Sequence, residues 1–193
     1  MIETLDISKS SEALNVLKQA FADHPVLPPG TPLKTREAVL KLMLDTFGSA
    51  ENAWLHGIHK DAVPVCVAFS LDSQSEPQLS AILWFFFKLF RLLGWRMTRE
   101  FIRAFSKREK YDDCYLELWL LGTLPAFQGQ GLGKTMLEFL YDFAEEHGYS
   151  GVILSAAKET PAFRFYVKEG FVVDSEIAMN NVPVCNMRRD STE

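Results

Sequence analysis

The sequence predicts one globular domain of the α/β or α+β class, and three observations lead to that prediction. The chain has 193 residues, of which 48% are hydrophobic, so it can form one substantial core. Segments with helical periodicity and segments with strand periodicity alternate along the chain. No internal repeat or linker marks a boundary, and we therefore expect a single domain that spans residues 1–193.

The N-terminal part of the chain predicts three strands and two amphipathic helices. In chain order they are a strand at Ile2–Leu5, a helix that ends before His24-Pro25, a loop at Pro25–Pro32, a helix at Lys34–Phe47, and strands at Ala53–His59 and Pro64–Leu71 joined at Lys60-Asp61. Gly48 follows the second helix, and we expect it to cap that helix in the left-handed conformation.

The segment Leu79–Trp95 is strongly apolar, with an unbroken apolar run from Ala81 to Phe87. A membrane-spanning helix needs about 20 predominantly apolar residues, and Lys88 and Arg91 interrupt this segment. We therefore predict no membrane span but a buried or half-buried helix, in preference to an interfacial membrane helix. An alternative is that its aromatic face lines a substrate pocket.

The C-terminal part of the chain predicts further helices and strands around a Gly-rich turn. They are a helix capped by Thr98 and carrying Phe101, Ile102 and Phe105, a charged run at Lys107–Lys110, a buried strand at Cys114–Leu124, the turn, a helix that ends at His147-Gly148, a strand at Gly151–Ser155, a helix opened by Thr160-Pro161 and closed by Gly170, and strands near Phe171–Val173 and Val184–Arg188.

The charge balance and the cysteines exclude some partners and indicate a compartment. Lys and Arg number 20 against 25 Asp and Glu, and the net charge of −5 argues against a surface that neutralises nucleic acid. Cys66, Cys114 and Cys185 form no CxxC pair and are too few for a disulfide scaffold. His56 and His59 have no third ligand nearby in sequence, so we expect no metal. The N-terminus lacks a signal-peptide pattern, so we predict a cytoplasmic protein.

The turn Pro125–Lys134, PAFQGQGLGK, predicts a phosphate site, because glycines between a strand and a helix let a ligand approach the free N–H groups of the helix. A P-loop would need glycine where the chain has Gln128, and a dinucleotide fingerprint would need glycine where it has Lys134. The pattern that fits is Gln-x-x-Gly-x-Gly at Gln128, Gly131 and Gly133.

A second pattern follows in register, with Ala162, Tyr166, Gly170 and Phe171 at fixed spacings and Glu159 at a position where asparagine is usual. With these two patterns the chain resembles the GNAT superfamily of acyl-CoA-dependent N-acetyltransferases. The segments LWLLGTLP, FQGQGLG and FRFYVKEGF look most like the puromycin-acetyltransferase-like branch. The resemblance is specific from Leu116 to Val173.

The resemblance implies a mixed, mostly antiparallel central sheet flanked by helices, with acetyl-CoA as co-substrate and no metal. It implies that the backbone of Leu121, Gly122 and Thr123 receives the pantetheine arm. It also implies that the pyrophosphate contacts the turn, which contains Gln128, Gly129, Gln130, Gly131, Leu132, Gly133 and Lys134. Tyr166 would contact the cofactor and protonate the leaving thiolate.

Glu117 is the candidate for the base that deprotonates the amine. It lies six residues before Thr123, so a regular strand would place both side chains on one face, and histone-acetylating relatives carry a glutamate at a similar offset. A solvated glutamate at the strand end is the alternative interpretation, and Asp112, Asp113 and Glu159 are other candidate bases.

The sequence thus predicts transfer of an acetyl group from acetyl-CoA to a primary amine of a small molecule, directly and in a ternary complex. Two alternatives stay open: a protein N-terminal or lysine acetyltransferase, and a CoA-binding regulatory module without catalysis. The oligomeric state is open too, and a homodimer is compatible with the sequence. The acidic net charge favours a cationic acceptor.

Overall fold

The fold is built on a seven-stranded sheet. The structure is a computed structural model, and it describes residues 2–7, 11–25, 27–28, 30–75, 78–107, 109 and 111–191. The strands are β1 (Ile2–Thr4), β2 (Ala53–Lys60), β3 (Val63–Asp72), β4 (Leu116–Thr123), β5 (Gly151–Ala157), β6 (Val172–Met179) and β7 (Val182–Asp190). Their order in the sheet is β1-β2-β3-β4-β5-β7-β6, and every pair is antiparallel except β4 with β5. The predicted mixed, mostly antiparallel sheet is confirmed.

Helices cover both faces of this sheet. Within the described residues they are α1 (Ser11–Ala20), α2 (Leu33–Phe47), α3 (Leu79–Ser106), α4 (Leu132–Glu146) and α5 (Pro161–Lys168). Because side chains alternate along a strand, β3 contributes Cys66 and Ala68 to the core under α4 and α5, and Val67 and Phe69 to the core under α1, α2 and α3. We call these two sides the α4 face and the α1 face.

An extra residue in β4 changes which face its side chains occupy. Phe69 pairs with Leu120 while Ser70 pairs with Leu118, so Trp119 is the bulged residue. As a result Glu117 pairs with Leu71 of the α1 face, whereas Thr123 pairs with Cys66 of the α4 face. The expectation that Glu117 and Thr123 share one face is therefore wrong, because the strand is not regular between them.

Two helix ends differ from the predictions. Gly48 has right-handed backbone angles, φ −71° and ψ −9°, so it is not a left-handed cap. A further helix does follow the aromatic one within α3, because the backbone is non-helical at Gly94, with φ 76° and ψ 173°, but Thr98 lies inside that second helix and does not cap it. The Thr98 hydroxyl donates to the Gly94 carbonyl at 3.0 Å and so supports the kink from inside the helix.

The C-terminal elements agree with the sequence pattern. Thr160 caps α5, since its hydroxyl oxygen accepts a hydrogen bond from the Phe163 N–H at 3.1 Å. The last two strands are longer than predicted, because Asn180 and Asn181 take positive φ values of 51° and 63° and form a tight hairpin turn. Parts of the predicted loop and charged run, namely Val26, Pro29, Arg108 and Lys110, lie outside the described residues.

None of the helices in the described part of the chain is long and apolar enough to cross a membrane.

Candidate active site

The central feature of the site is a gap where β4 and β5 separate. Their parallel pairing ends at Leu118 with Leu154, although β4 continues to Thr123 and β5 to Ala157. β4 stays paired with β3 along its other edge. Its backbone beyond Leu118 therefore has no partner strand on the β5 side, and it can bind an extended ligand as a strand would. The predicted residues Leu121, Gly122 and Thr123 lie on this edge.

The Gly-rich turn follows at the open end of the gap. A short 3-10 helix at Pro125–Phe127 leads into it, and Gly129 and Gly131 have positive φ values of 73° and 81°. Gly131 is the N-cap of α4, whose first internal bond runs from the Thr135 N–H to the Gly131 carbonyl at 3.0 Å. The three N–H groups between them, on Leu132, Gly133 and Lys134, have no acceptor within the helix, which is the arrangement that binds phosphate.

Side chains attach this turn to the sheet. The Gln128 amide donates to the Thr123 carbonyl at 3.1 Å, so it ties the turn to the end of β4. The Lys60 ammonium donates to the Gln130 side-chain oxygen at 2.9 Å and lies 4.9 Å from the centre of the Phe127 ring. Lys134 forms an ion pair with Glu138 at 3.8 Å.

The sequence did not reveal the position of Lys60. Lys60 and Gln130 are separated by 70 residues, and it is the antiparallel pairing of β2 with β3, and of β3 with β4, that brings Lys60 to the turn. No local motif marks such a residue. The structure therefore adds a second cation, beside Lys134, next to the predicted phosphate site.

Tyr166 lies on the α4 face near the end of β4. Its side chain is buried and packs edge-to-face on Phe171, with ring centres 5.6 Å apart. Burial, followed by the nearby Cys66 thiol, raises the pKa of Tyr166 above its ordinary value. Cys66 in turn accepts a hydrogen bond from the Thr123 hydroxyl at 3.3 Å. Tyr166 is thus protonated at neutral pH and stands close to the edge that can receive the ligand.

Glu117 lies on the opposite face, at the last paired positions before the gap. It is 8% exposed and pairs with Ile153. It lines a narrow recess of about 10 Å³ together with Glu109, Tyr111, Ile153, Leu154, Ser155 and Asn186. A volume of this size accommodates one water-sized group. Two carboxylates among its lining residues make the recess suitable for a small cation.

Hydrogen bonds hold the walls of this recess. The Ser155 hydroxyl donates to the Asn186 side-chain oxygen at 2.8 Å, and the Asn186 amide donates to Ser175 at 2.9 Å. The Tyr111 hydroxyl donates to an Asp174 carboxylate oxygen at 2.8 Å. The recess is therefore lined by β4, β5, β7 and the segment after α3, and β6 supports its walls.

The other candidate bases and ligands are not in the recess. Asp112 and Asp113 are exposed, and Glu159 is exposed in the turn before α5, with a φ of 65°. His59 lies 3.7 Å from a carboxylate oxygen of Glu3, while His56 packs among the phenylalanines of α4. No group of three His, Cys, Asp or Glu residues that could hold a metal occurs among the residues that the structure covers.

Comparisons with known proteins agree with this geometry. The model of the acetyltransferase (GNAT) family matches residues 88–171. A sequence search of curated proteins gives no match.

Solved structures share the fold at low sequence identity. The histone acetyltransferase HPA2 and related acetyltransferase from Corynebacterium glutamicum is 17% identical, with a TM-score of 0.67 over 100% of this chain and 97% of that one. The ribosomal-protein-S18-alanine N-acetyltransferase from Escherichia coli is 15% identical, with a TM-score of 0.60 and coverage of 100% and 94%. The protein yncA from Salmonella typhimurium, solved with its cofactor acetyl-CoA, is 15% identical, with a TM-score of 0.58 and coverage of 100% and 94%. The fold class predicted from the sequence is confirmed, the resemblance to the GNAT family is supported by the family model over residues 88–171, and the puromycin-acetyltransferase-like branch stays a prediction.

Proposed function

We propose that this chain, whose residues 88–171 match the model of the acetyltransferase (GNAT) family, transfers the acetyl group of acetyl-CoA directly to a primary amine of a small molecule. One observation carries the proposal. The gap between β4 and β5 has the phosphate-binding turn and Tyr166 on one side and the Glu117 recess on the other. A thioester in the gap would therefore meet an acid from one face and a base from the other.

The cofactor would bind through backbone atoms. Its pyrophosphate would accept hydrogen bonds from the N–H groups at the start of α4, with the helix dipole adding about 0.3–1 kcal/mol per favourable anion contact. Lys60 and Lys134 supply positive charge beside the turn. The pantetheine arm would then follow the free edge of β4 from Thr123 toward Leu118.

The reaction needs a neutral amine and a protonated leaving group. An alkylammonium has a reference pKa of about 10.4, so it must lose a proton before its nitrogen attacks the thioester carbonyl, and we assign that proton to Glu117. As the carbon–nitrogen bond forms and the carbon–sulfur bond breaks, the thiolate takes a proton from Tyr166. The amine nitrogen then loses its second proton, which restores the Tyr166 hydroxyl, and Glu117 passes the first proton to solvent. A backbone N–H near Thr123 would polarise the carbonyl.

Direct transfer is favoured over an acyl-cysteine intermediate by the state of the three cysteines. Burial raises the pKa of Cys66 and of Cys185. Burial and the neighbouring Asp72 raise the pKa of Cys114 to about 11. A neutral thiol is a poor nucleophile, so none of the three suits covalent catalysis at neutral pH. All three are free thiols, which supports a reducing compartment such as the cytoplasm.

The recess supports a cationic, unhindered amine as the acceptor. It has room for one water-sized group, so it would admit an ammonium group and leave the rest of the acceptor outside. Glu109 and Glu117 would attract that group before deprotonation. A long-range attraction of this kind weakens as salt screens it.

The test is release of CoA thiol from acetyl-CoA across a panel of small primary amines, lysine peptides and peptides with free N-termini. We expect saturable turnover with a small primary amine and a Michaelis constant for that amine that rises with ionic strength. Preferred turnover of a peptide would replace the acceptor class with a protein. Tight CoA binding without turnover of any acceptor would indicate the regulatory module.

A further inference from the structure

The first half of α3 exposes a stripe of large apolar side chains. The apolar stripe of α3 consists of Leu83, Trp84, Phe87 and Phe90, and Trp95 is exposed just beyond the break at Gly94. Leu83 and Trp95 are each 64% exposed and Trp84 is 56% exposed, and the rings of Trp84 and Phe87 stack with centres 5.5 Å apart. Soluble proteins rarely expose contiguous apolar groups on this scale unless the surface binds something.

The orientation of this stripe is fixed by the opposite side of the helix. Phe85 and Leu89 are 4% and 0% exposed and pack in the core under α1 and α2. Phe85 contacts Phe47 of α2 edge-to-face, with ring centres 5.2 Å apart. The helix cannot turn its stripe inward without withdrawing these two residues from the core. The apolar stripe is therefore a stable part of the surface.

The charge on α3 is opposite in sign to that of the whole chain. The helix carries one acidic residue, Glu100, and five cationic residues, Lys88, Arg91, Arg96, Arg99 and Arg103. The net charge of the chain is −5. Lys88 lies over the Trp84 ring at 4.8 Å from its centre, and neither Lys88 nor Arg91 has an ion-pair partner among the described residues. Lys88 and Arg91 thus place positive charge beside the apolar stripe, and the other three cations follow the break at Gly94.

We propose that the apolar stripe of α3 docks on the surface of an anionic lipid membrane, with α3 lying in the plane of the interface. Leucine, phenylalanine and tryptophan side chains would enter the boundary between headgroups and acyl chains, while Lys88 and Arg91 extend to the lipid phosphates. A groove of about 730 Å³ between α2 and α3 offers room for headgroups beside the stripe. Lys88 and Arg91 line it, together with Lys41, which is paired with Asp45 at 3.0 Å.

Charge decides between a membrane and the other occupants of such a face. A second copy of the chain, packed stripe to stripe around a two-fold axis, would place two cationic helices side by side, and they would repel each other. Glu100 is the acidic residue of each helix. The Glu100 side chain is only 16% exposed and lies 3.7 Å from Arg99 of its own helix. A nucleic acid would satisfy the cations but not Leu83, Phe87 and Phe90. An anionic bilayer satisfies both.

The test is sedimentation of the full chain with phospholipid vesicles. We expect binding to an equal mixture of phosphatidylcholine and phosphatidylserine, no binding to phosphatidylcholine alone, and weaker binding as salt is added. The emission of the exposed Trp84 and Trp95 should shift to shorter wavelength on the vesicles that bind. Failure to bind the anionic vesicles at low salt would overturn the proposal.

Two double variants separate the apolar and the electrostatic contributions to vesicle binding. The pair Trp84→Ser/Phe87→Ser should lower vesicle affinity by roughly tenfold or more. The pair Lys88→Gln/Arg91→Gln should lower it by about 30-fold, from about 1 kcal/mol for each cation near an anionic surface. Both pairs change exposed residues, so circular dichroism should show an unchanged fold.

Matched controls carry the same substitutions at exposed positions outside the stripe. Val63→Ser/Val172→Ser and Lys34→Gln/Lys168→Gln should bind vesicles as the unchanged chain does. Equal losses in controls and stripe variants would contradict the proposal. It is also overturned if the chain forms a dimer in solution that Trp84→Ser/Phe87→Ser dissociates, or if nucleic acid binds more tightly than the anionic vesicles.

Discussion

The two faces of the separated strands differ in how their functional groups are encoded. On the α4 face, the turn and Tyr166 come from one continuous stretch between β4 and α5, and the turn acts through backbone N–H groups. On the α1 face, the recess collects Glu117 from β4, Ser155 from β5, Asn186 from β7 and Tyr111 from the segment after α3. A fixed cofactor suits the first arrangement, and a variable acceptor suits the second.

The largest expected effect tests the α4 face. Replacing Tyr166 with phenylalanine removes the proposed proton donor but keeps the ring that packs on Phe171. We expect kcat to fall by about 10²-fold or more, with the Michaelis constant for acetyl-CoA almost unchanged. Steady-state kinetics with the best amine measures both values.

Tyr141→Phe is the matched control, because Tyr141 is also a tyrosine of the α4 face whose pKa burial raises. Its ring contacts the Arg189 guanidinium at 3.9 Å and packs on Phe171 with ring centres 6.1 Å apart. We expect kcat close to that of the unchanged chain. An equal fall in both variants would mean that Tyr166 acts through packing, and the acid would have to be sought elsewhere.

The same contrast explains how much the sequence could predict. The shape of the turn was predictable, because Gln128, Gly131 and Gly133 specify a backbone conformation within six consecutive positions, and its binding of the cofactor stays a prediction. Lys60 was not predictable, since its place beside Gln130 depends on strand pairing over 70 residues. The face of Glu117 was predicted wrongly, because a single bulged residue, Trp119, reverses the alternation of a strand and leaves no trace in its periodicity.

The next prediction tests the α1 face. Glu117→Gln keeps the size of the side chain in the recess but removes its ability to accept the amine proton. We expect kcat to fall by about 10²-fold at neutral pH and the acidic limb of the pH–rate profile to disappear. A pH series of single-variant kinetics measures this.

Glu109→Gln is the control within the same recess, because Glu109 is an exposed carboxylate there. It should raise the Michaelis constant for a cationic amine and leave the acidic limb in place. If Glu117→Gln kept that limb, the base would be another group and the functional division between the faces would be lost.

A third prediction concerns the contact between β2 and α4 on the α4 face. His56 is fully buried between Phe139 and Phe143, with ring centres 4.9 and 5.1 Å away. Burial, and then His147, lowers the pKa of His56 to about 4 from 6.5. Below pH 6.5 the unfolded chain therefore binds a proton at His56, whereas the folded chain binds that proton only near pH 4. The free energy of unfolding should fall by about 3 kcal/mol from this residue as pH drops from 6.5 to 4.

Urea unfolding at a series of pH values measures this loss. His56→Leu should remove the part that comes from His56, while His24, whose pKa burial also lowers to about 4, keeps its own part. His59→Gln is the control and should show the full acid loss. An acid loss in His56→Leu as large as in the unchanged chain would show that the contact between β2 and α4 is not acid-sensitive.

The smallest expected effect tests whether the backbone shape of the turn affects cofactor binding independently of the free energy of unfolding. Gly131 and Gly148 have similar positive φ values, 81° and 74°, and a Cβ at either position would meet no atom within 4 Å. Alanine at either site should therefore lower the free energy of unfolding by about 1–2 kcal/mol, since only the left-handed backbone opposes it.

Their effects on the cofactor should differ, because Gly131 begins α4 at the turn whereas Gly148 follows the other end of that helix. Gly131→Ala should raise the Michaelis constant for acetyl-CoA severalfold by shifting the N–H groups that face the phosphates, and Gly148→Ala should leave it unchanged. Urea unfolding and acetyl-CoA titration of both variants measure the two quantities. If both variants lost stability equally and neither changed the Michaelis constant, phosphate binding would depend on Lys60 and Lys134, and the cofactor side would then rely on side chains as the acceptor side does.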